Sequence, residues 1–228
     1  MNNNEKLILK NQYEGGRAIN YDNAREQSSR HKAEEAIIGD YIMQVQPKQI
    51  LDCPCGTMRW IDIYAASGAS VLGVDLSEDM IAQAKMKVIE KELNEKISFL
   101  QGNIINNATV LENDKLFDMV LCVRFLNWIP TENALEVITS LSKYSNSFFL
   151  VGCTVLPQKW SLLDKIKAKY ILYKDNKNRI KNNSAKRYVH NEKKFEQFLK
   201  TIDYNVVEKK ITMKNKDAEN YLYLLSKK

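Results

Sequence analysis

Apolar runs of strand length alternate with segments of helical periodicity through the middle of the chain. The strand-like runs are Ile50 to Leu51, Val71 to Val74, Ile97 to Leu100, Phe117 to Val123 and Ser147 to Cys153. Segments with helical periodicity lie between them, at Arg59 to Ser67, Ser77 to Leu93 and Thr131 to Tyr144. Strands that alternate with helices form parallel sheets covered on both faces, so the pattern predicts an α/β fold.

Two of these helices carry start signals. Ser77 directly precedes Glu78 and Asp79, which is typical of an N-cap followed by acidic residues in the first turn. Pro130 opens the later helix in a similar way, just ahead of Thr131 and Glu132. The first forty residues also have helical character, so we expect an N-terminal helical lead-in.

The pattern changes after the fifth strand-like run. A helix is predicted from Pro157 to Tyr173, with lysines around much of its surface. Its apolar side consists of Leu162, Leu163, Ile166, Tyr170 and Tyr173. The polar stretch from Lys174 to Lys186 is predicted to separate it from another helix, Asn191 to Thr201. Strands at Tyr204 to Thr212 and Tyr221 to Leu225 predict an antiparallel hairpin that closes the sheet.

Size and composition favour one soluble domain. The chain has 228 residues, of which 44% are hydrophobic and 27% charged, enough for a substantial core. We divide it into a helical lead-in (1–40), a core (41–155), a basic lid insert (156–190) and a C-terminal helix and hairpin (191–228). Its polar first residues and the lack of a long apolar run predict a cytoplasmic location.

The cysteines and the net charge limit the possible chemistry. The cysteines are Cys53, Cys55, Cys122 and Cys153, and they lie in or beside buried-strand patterns, which disfavours disulfides. No metal site is expected, because only two histidines accompany them and ligand spacing is missing. The formal charge is +6, and basic residues concentrate between Lys159 and Lys200. That segment is the candidate surface for an anionic membrane or for RNA.

The most informative segment is a strand that runs into a tight turn. Ile50 to Arg59 reads ILDCPCGTMR, and after a helix-length gap Val71 to Asp75 reads VLGVD. A buried strand, a small-residue turn, a helix and a second strand ending in a carboxylate form the layout that binds nucleotide-like cofactors. We therefore interpret Asp75 as a ribose-binding group.

These segments resemble class I S-adenosylmethionine-dependent methyltransferases. Asp52-x-Pro-x-Gly56-x-Met58 stands where that family carries its acidic-x-Gly-x-Gly-x-Gly turn, and Gly73 to Ala84 is similar to its second strand and helix. The resemblance extends through Gln101-Gly-Asn103 and through Phe117 to Pro130. It implies a Rossmann-like, doubly wound, mostly parallel seven-stranded sheet with a C-terminal antiparallel hairpin and a helical lid. It also implies S-adenosylmethionine as the cofactor.

The resemblance implies roles for individual residues. The cofactor-binding set is Asp52, Cys53, Pro54, Gly56, Asp75, Leu76, Met80, Asn103, Ile104, Val123 and Arg30. The turn backbone would lie against the methionine part of the cofactor, and Asp75 would accept hydrogen bonds from both ribose hydroxyls. Asn103 would face the adenine amino group, between apolar walls. The weakest part of the motif is Pro54 and Met58, which replace two glycines of the family pattern.

The predicted reaction is in-line transfer of a methyl group to a small-molecule acceptor. Its leaving group is neutral, so alignment and exclusion of water are expected to matter more than a catalytic dyad. The candidates for catalysis or substrate contact are Arg124, Tyr21 and His190. Three alternatives remain open: a lipid or quinone acceptor, an RNA acceptor, and a protein that binds the cofactor without transferring its methyl group.

Overall fold

The computed structural model describes residues 28–105, 111 and 115–228, and residues 5, 7, 8, 11 and 13 before them. Eight strands in this part of the chain form one sheet. They are β1 (Gln49–Asp52), β2 (Ser70–Asp75), β3 (Ile97–Gln101), β4 (Phe117–Cys122), β5 (Ser145–Leu156), β6 (His190–Asn191), β7 (Tyr204–Lys214) and β8 (Glu219–Lys227).

The sheet has the order β3-β2-β1-β4-β5-β8-β7, and the two-residue β6 pairs with β5 away from this path. Strands β1 to β5 are mutually parallel. Strand β8 is antiparallel to both β5 and β7. The predicted fold, with a mostly parallel seven-strand path and a terminal hairpin, is therefore confirmed.

Helices cover both faces of this sheet. They are α1 (Ser29–Val45), α2 (Ile61–Ser67), α3 (Glu78–Glu90), α4 (Thr131–Ser142), α5 (Leu162–Lys181) and α6 (Glu192–Leu199). Residues of α1, α2 and α3 join one apolar core, and residues of α4 and α6 join the other. Strand β4 shows why there are two cores: Met119 and Leu121 enter the first, whereas Val120 and Cys122 enter the second.

The capping signals operate as the sequence predicts. The Ser77 hydroxyl accepts the backbone N–H of Met80 at 3.2 Å and starts α3. Helix α4 begins directly after Pro130. At the end of the chain, the N–H of Asn215 donates to the carbonyl of Ala218 at 2.8 Å and closes the β7–β8 hairpin.

Helix α5 is longer than predicted. It continues to Lys181, through much of the polar stretch that was expected to separate two helices. The stretch has no apolar periodicity to reveal it, but Arg179 donates to Asp175 one turn earlier at 3.0 Å. The side chain of Asn176 also forms two hydrogen bonds with the backbone of Arg187, at 2.7 and 2.8 Å. These contacts hold the polar half of the helix to the protein.

Across the ranges that the structure describes, no helix combines the length and the apolar character needed to cross a membrane.

Candidate functional site

A cleft lies at the carboxyl edge of the sheet. Its walls come from the segments that follow β1, β2, β3 and β4, together with Tyr13 and Trp128. The four strands are parallel, so their carboxyl ends meet at the same edge, where open α/β sheets bind ligands. The empty space is about 1100 Å³ out to the open mouth, a size that accommodates a nucleoside-sized ligand.

The turn after β1 forms one wall and is held by its two neighbouring strands. The N–H of Cys53 donates to the carbonyl of Leu121 at 3.0 Å, and the N–H of Cys55 donates to that of Val74 at 2.9 Å. The peptide bond between Cys53 and Pro54 is cis. Gly56 has φ +55°, and a Cβ at this position would meet no atom within 4 Å. Because Gly56 lines the cleft, a ligand can approach its backbone closely.

Met58 occupies the other side of the same turn. It has φ +54° and is fully buried among residues of the α1, α2 and α3 core, and it does not line the cleft. Its Cε lies 2.7 Å from the place where a Cβ at Gly73 would stand. The absence of a side chain at Gly73 therefore makes room for Met58. The bulk of Met58 fills space inside the core and leaves the cleft open.

Asp75, at the end of β2, is held by backbone donors in the cleft wall. Its Oδ2 accepts the N–H of Gly56 at 2.8 Å, and its Oδ1 accepts the N–H of Ser77 at 2.9 Å. Burial raises the pKa of this carboxyl group, and the backbone hydrogen bonds oppose that rise. Each oxygen can accept a further hydrogen bond, so the side chain retains the capacity to bind two hydroxyl groups.

Asp52, at the end of the adjacent β1, lies in a different environment. It is only 2% exposed, and it is absent from the cleft lining. The Tyr64 hydroxyl donates to its Oδ2 at 2.9 Å. Burial raises the pKa of Asp52 to about 7, although the Tyr64 hydrogen bond acts in the opposite direction. Asp52 was predicted to be a cofactor-binding residue, but in the structure it lies behind the turn that lines the cleft.

The residues expected around an adenine ring come together in the cleft. Leu76, Met80, Asn103 and Ile104 all line it. The side-chain oxygen of Asn103 already accepts the N–H of Ile105 at 2.9 Å. A carbonyl oxygen has a second lone pair, so Asn103 can still accept a bond from a ligand amino group.

Arg124 borders the cleft at the end of β4, next to Val123, which also lines it. Its Nε donates to the buried carboxylate of Glu34, which also accepts from Arg30 at 2.7 Å. The Nη2 atom of Arg124 is buried and has no hydrogen-bond partner among the described residues. Burial lowers the pKa of Arg124 to about 10, so the group stays cationic at neutral pH. Arg30 does not line the cleft, and it reaches Arg124 only through Glu34.

The other two catalytic candidates differ in outcome. Tyr21 lies outside the described residues. His190 is fully buried and away from the cleft. Its Nε2 lies 2.9 Å from the carbonyl of Leu126, and its Nδ1 lies 3.0 Å from the Thr131 hydroxyl. Burial lowers its pKa, and both ring nitrogens are occupied, so His190 is a structural residue and we withdraw it as a candidate base.

Several lining residues were not among the sequence candidates. They are Tyr13, Cys55, Thr57, Arg59, Trp60, Val74, Ser77, Gly102, Ile105, Phe125 and Trp128. Glu34, which anchors Arg124, was also missed. A signal for it exists, because Glu34 shares one face of α1 with the buried Ile38 and Tyr41. A carboxylate on an apolar helical face calls for a cationic partner elsewhere in the chain.

The cleft contains few groups that could act as a base. Among its lining residues, Asp75 is the only carboxylate, and no histidine is present in the described part. The thiols of Cys53 and Cys55 have pKa values raised well above the ordinary range by burial, so they remain protonated. Within the described ranges, no group of three or more histidine, cysteine or acidic side chains is placed to hold a metal ion.

Comparisons with known proteins agree with this geometry. Residues 50–146 match the family model described as "Methyltransferase domain". A ubiquinone biosynthesis O-methyltransferase of Rickettsia akari is 31% identical over 60% of this chain and 53% of its own length. The corresponding protein of Dechloromonas aromatica is 27% identical over 80% of each chain. The chain thus spans about half of the first relative and four fifths of the second.

A solved structure shares the fold across the whole chain. It is the magnesium protoporphyrin IX methyltransferase of Synechocystis PCC 6803 with bound S-adenosylmethionine, with a TM-score of 0.72 and 15% identity. The superposition covers 100% of this chain and 99% of that one. At this identity the likeness concerns the fold alone.

Proposed function

We propose that the chain is a class I S-adenosylmethionine-dependent methyltransferase and that it transfers a methyl group from S-adenosylmethionine to a small-molecule acceptor. One observation carries the proposal. Backbone N–H groups, one of them from the cleft-lining Gly56, fix the Asp75 carboxylate at the carboxyl end of β2.

Four buried cysteines without disulfides support a reducing, cytoplasmic location.

The residues that line the cleft fit the cofactor. A Cβ at Gly56 would project into open space in the wall, which is the space that a closely bound ligand needs. Asp75 would hold the ribose hydroxyls, because a carboxylate has further lone pairs besides those that accept the N–H groups of Gly56 and Ser77. Leu76, Met80 and Ile104 would enclose the adenine, and Asn103 would accept a hydrogen bond from its amino group.

Arg124 supplies a cationic group at the same edge. A buried guanidinium nitrogen without a partner is costly, and an anionic ligand group would satisfy it. We assign this contact to a carboxylate of the cofactor or of the acceptor. Glu34 and Arg30 would hold Arg124 in place, since the bond that Arg124 donates to Glu34 restricts its side chain.

The chemistry asks little of the side chains beyond binding. S-adenosylmethionine supplies an electrophilic methyl group whose leaving group is neutral, so no residue has to protonate it. The cleft walls would align the acceptor and exclude water, and Trp128 and Phe125 would form part of that barrier. This agrees with the small number of lining groups that could act as a base.

A quinone or lipid is the second candidate acceptor. Both sequence relatives are named as ubiquinone biosynthesis enzymes, and α5 exposes an unusual number of apolar side chains to solvent. A protein that binds the cofactor without transfer was motivated by Pro54 and Met58. This alternative is less favoured because Met58 does not enter the cleft, although Pro54 lines it.

Calorimetric titration with S-adenosylmethionine and S-adenosylhomocysteine tests the proposal. Asp75→Ala removes two charge-assisted hydrogen bonds to the ligand, so we expect affinity to fall about a hundredfold. The matched control is Asp62→Ala, which removes a 71% exposed carboxylate that pairs with Lys91 on the surface. The control should bind like the unaltered protein.

Transfer is then measured with methyl-labelled S-adenosylmethionine and panels of phenolic, carboxylic and amine acceptors, with and without a quinone in detergent. Equal affinities of the Asp75→Ala and Asp62→Ala proteins would refute the proposed cofactor site. Tight binding without label transfer to any acceptor would instead favour the inactive alternative.

A further inference from the structure

Helix α5 exposes an apolar stripe to solvent. Five large side chains along it are between 55% and 75% exposed. They are Leu162, Leu163, Ile166, Tyr170 and Tyr173, and Ile180 continues the stripe two turns later at 55%. Their spacings of three, four and seven residues place them on one side of the helix. This arrangement is unusual, because a surface helix normally turns its apolar face toward the core.

The side of α5 that contacts the protein is mostly polar. Only Ala168 is fully buried. Asp175 pairs with Arg179 and Arg187, and Asn176 is hydrogen-bonded to the backbone of Arg187. Polar contacts therefore fix the orientation of the helix, with its apolar stripe outward.

Lysines border the stripe and carry a strong excess of positive charge. Helix α5 contains seven basic residues and two acidic ones. The lysines that are exposed around the stripe are Lys167, Lys169, Lys174, Lys177 and Lys181. None of the five forms an ion pair with another described residue. Apolar side chains between unpaired cations are the combination that inserts into an anionic lipid interface, with the chains in the acyl boundary and the cations at the headgroups.

The helix also touches the cleft. The guanidinium of Arg179 stacks 5.3 Å from the ring centroid of Trp128, which lines the cleft. A surface on which α5 lies would therefore be close to the wall of the candidate active site.

We propose that α5 docks this protein onto anionic lipid bilayers through the stripe formed by Leu162, Leu163, Ile166, Tyr170, Tyr173 and Ile180. Charge complementarity selects the occupant: the unpaired lysines match anionic headgroups, and the aliphatic side chains match the acyl region. RNA would match the lysines but leave Leu163 and Ile166 exposed to water. Docking does not depend on the proposed methyl transfer, so each can fail without the other.

Sedimentation with vesicles tests docking in the absence of any cofactor. The vesicles are phosphatidylcholine alone, or phosphatidylcholine with about one third phosphatidylglycerol. We expect the protein to sediment with the anionic vesicles and to be released at high salt. The triple variant Leu163→Ser, Ile166→Ser and Tyr170→Ser should lose at least about tenfold in partitioning, because three interfacial side chains are removed.

The matched control is Met86→Ser with Ile89→Ser on α3. Both residues are 63% exposed, so the control removes similar apolar surface away from α5. It should bind vesicles like the unaltered protein. Because all five altered side chains are exposed, thermal unfolding should be unchanged in both variants.

Three results would overturn the proposal. The first is equal vesicle binding by the triple variant and the unaltered protein, or none by either. The second is a dimer in light scattering that the triple variant converts to a monomer, which would make the stripe an interface between two copies. The third is a salt-sensitive shift of labelled RNA that the triple variant retains, without vesicle binding.

Discussion

Two aspartates end adjacent parallel strands, and the protein treats them differently. Asp75 lines the cleft and accepts backbone N–H groups from Gly56 and Ser77. Asp52 lies behind the turn, 2% exposed, and is hydrogen-bonded to the Tyr64 hydroxyl. The same residue type at the same strand position is thus a cleft-facing group in one strand and a buried support in the other. Its neighbours decide which role it takes.

The largest expected effect is that of Asp52 on the pH dependence of stability. The folded pKa of Asp52 is about 7, above its ordinary value of 3.8. A raised folded pKa contributes stability that is complete below the ordinary value and lost as pH rises through about 7. The interval between the two values corresponds to roughly 4 kcal/mol.

Denaturant unfolding at several pH values measures this effect. The free energy of unfolding should fall between pH 4 and pH 8 by more in the unaltered protein than in Asp52→Asn, which cannot titrate. Parallel pH profiles for the two proteins would show that Asp52 is not buried as the structure has it.

A smaller effect is expected at Tyr64, which donates a hydrogen bond to Asp52. Tyr64→Phe removes the hydroxyl that donates to Asp52 at 2.9 Å. We expect a loss of about 1–2 kcal/mol in unfolding free energy and a higher pKa for Asp52, because the lost bond favoured the charged form. The decline in stability should therefore still begin near the ordinary pKa of an aspartate but extend to a higher pH than in the unaltered protein.

Cofactor affinity gives the complementary measurement. Since Tyr64 and Asp52 do not line the cleft, Tyr64→Phe should change the dissociation constant of S-adenosylmethionine by less than about twofold. A loss comparable to that of Asp75→Ala would mean that the two aspartates act as one unit.

The smallest expected effect on stability concerns the turn between the aspartates. Gly56→Ala places a side chain at φ +55°, which costs about 1 kcal/mol. It also puts a methyl group into open space of the cleft, so cofactor affinity should fall about tenfold.

Gly68→Ala separates the two causes. Gly68 has φ +68°, has open space around its Cβ position and ends α2 away from the cleft. It should lose similar stability and keep full affinity. If both variants bind alike, the open space at Gly56 is not used by the cofactor.

Much of the fold was readable because its signals are local. The period of apolar residues predicted five parallel strands and the helices between them, and Ser77 predicted the start of α3. The polar end of α5 was not readable, because its helix depends on an ion pair and on bonds to Arg187. His190 was wrongly chosen as a catalytic candidate for a similar reason. Its hydrogen-bond partner, the Leu126 carbonyl, is distant in sequence, and no neighbour of His190 in the sequence indicates this contact.

The turn after β1 shows the same contrast between local sequence signals and distant contacts. A motif comparison treats Met58 as a lost glycine in a binding loop. In three dimensions its side chain packs into space that Gly73, fifteen residues later, leaves empty. Gly73 on β2 makes room for Met58 in the turn after β1, so one position by itself is misleading.

The sequence by itself determined the order of strands and helices and the aspartate at the end of β2, because periodicity, capping and strand-end position are properties of neighbouring residues. Tertiary structure decided that Asp52 turns inward, that Glu34 anchors Arg124, and that α5 presents its apolar stripe to solvent. Each of these depends on partners far apart in the chain, and burial and pairing arise only when the folded sheet brings them together.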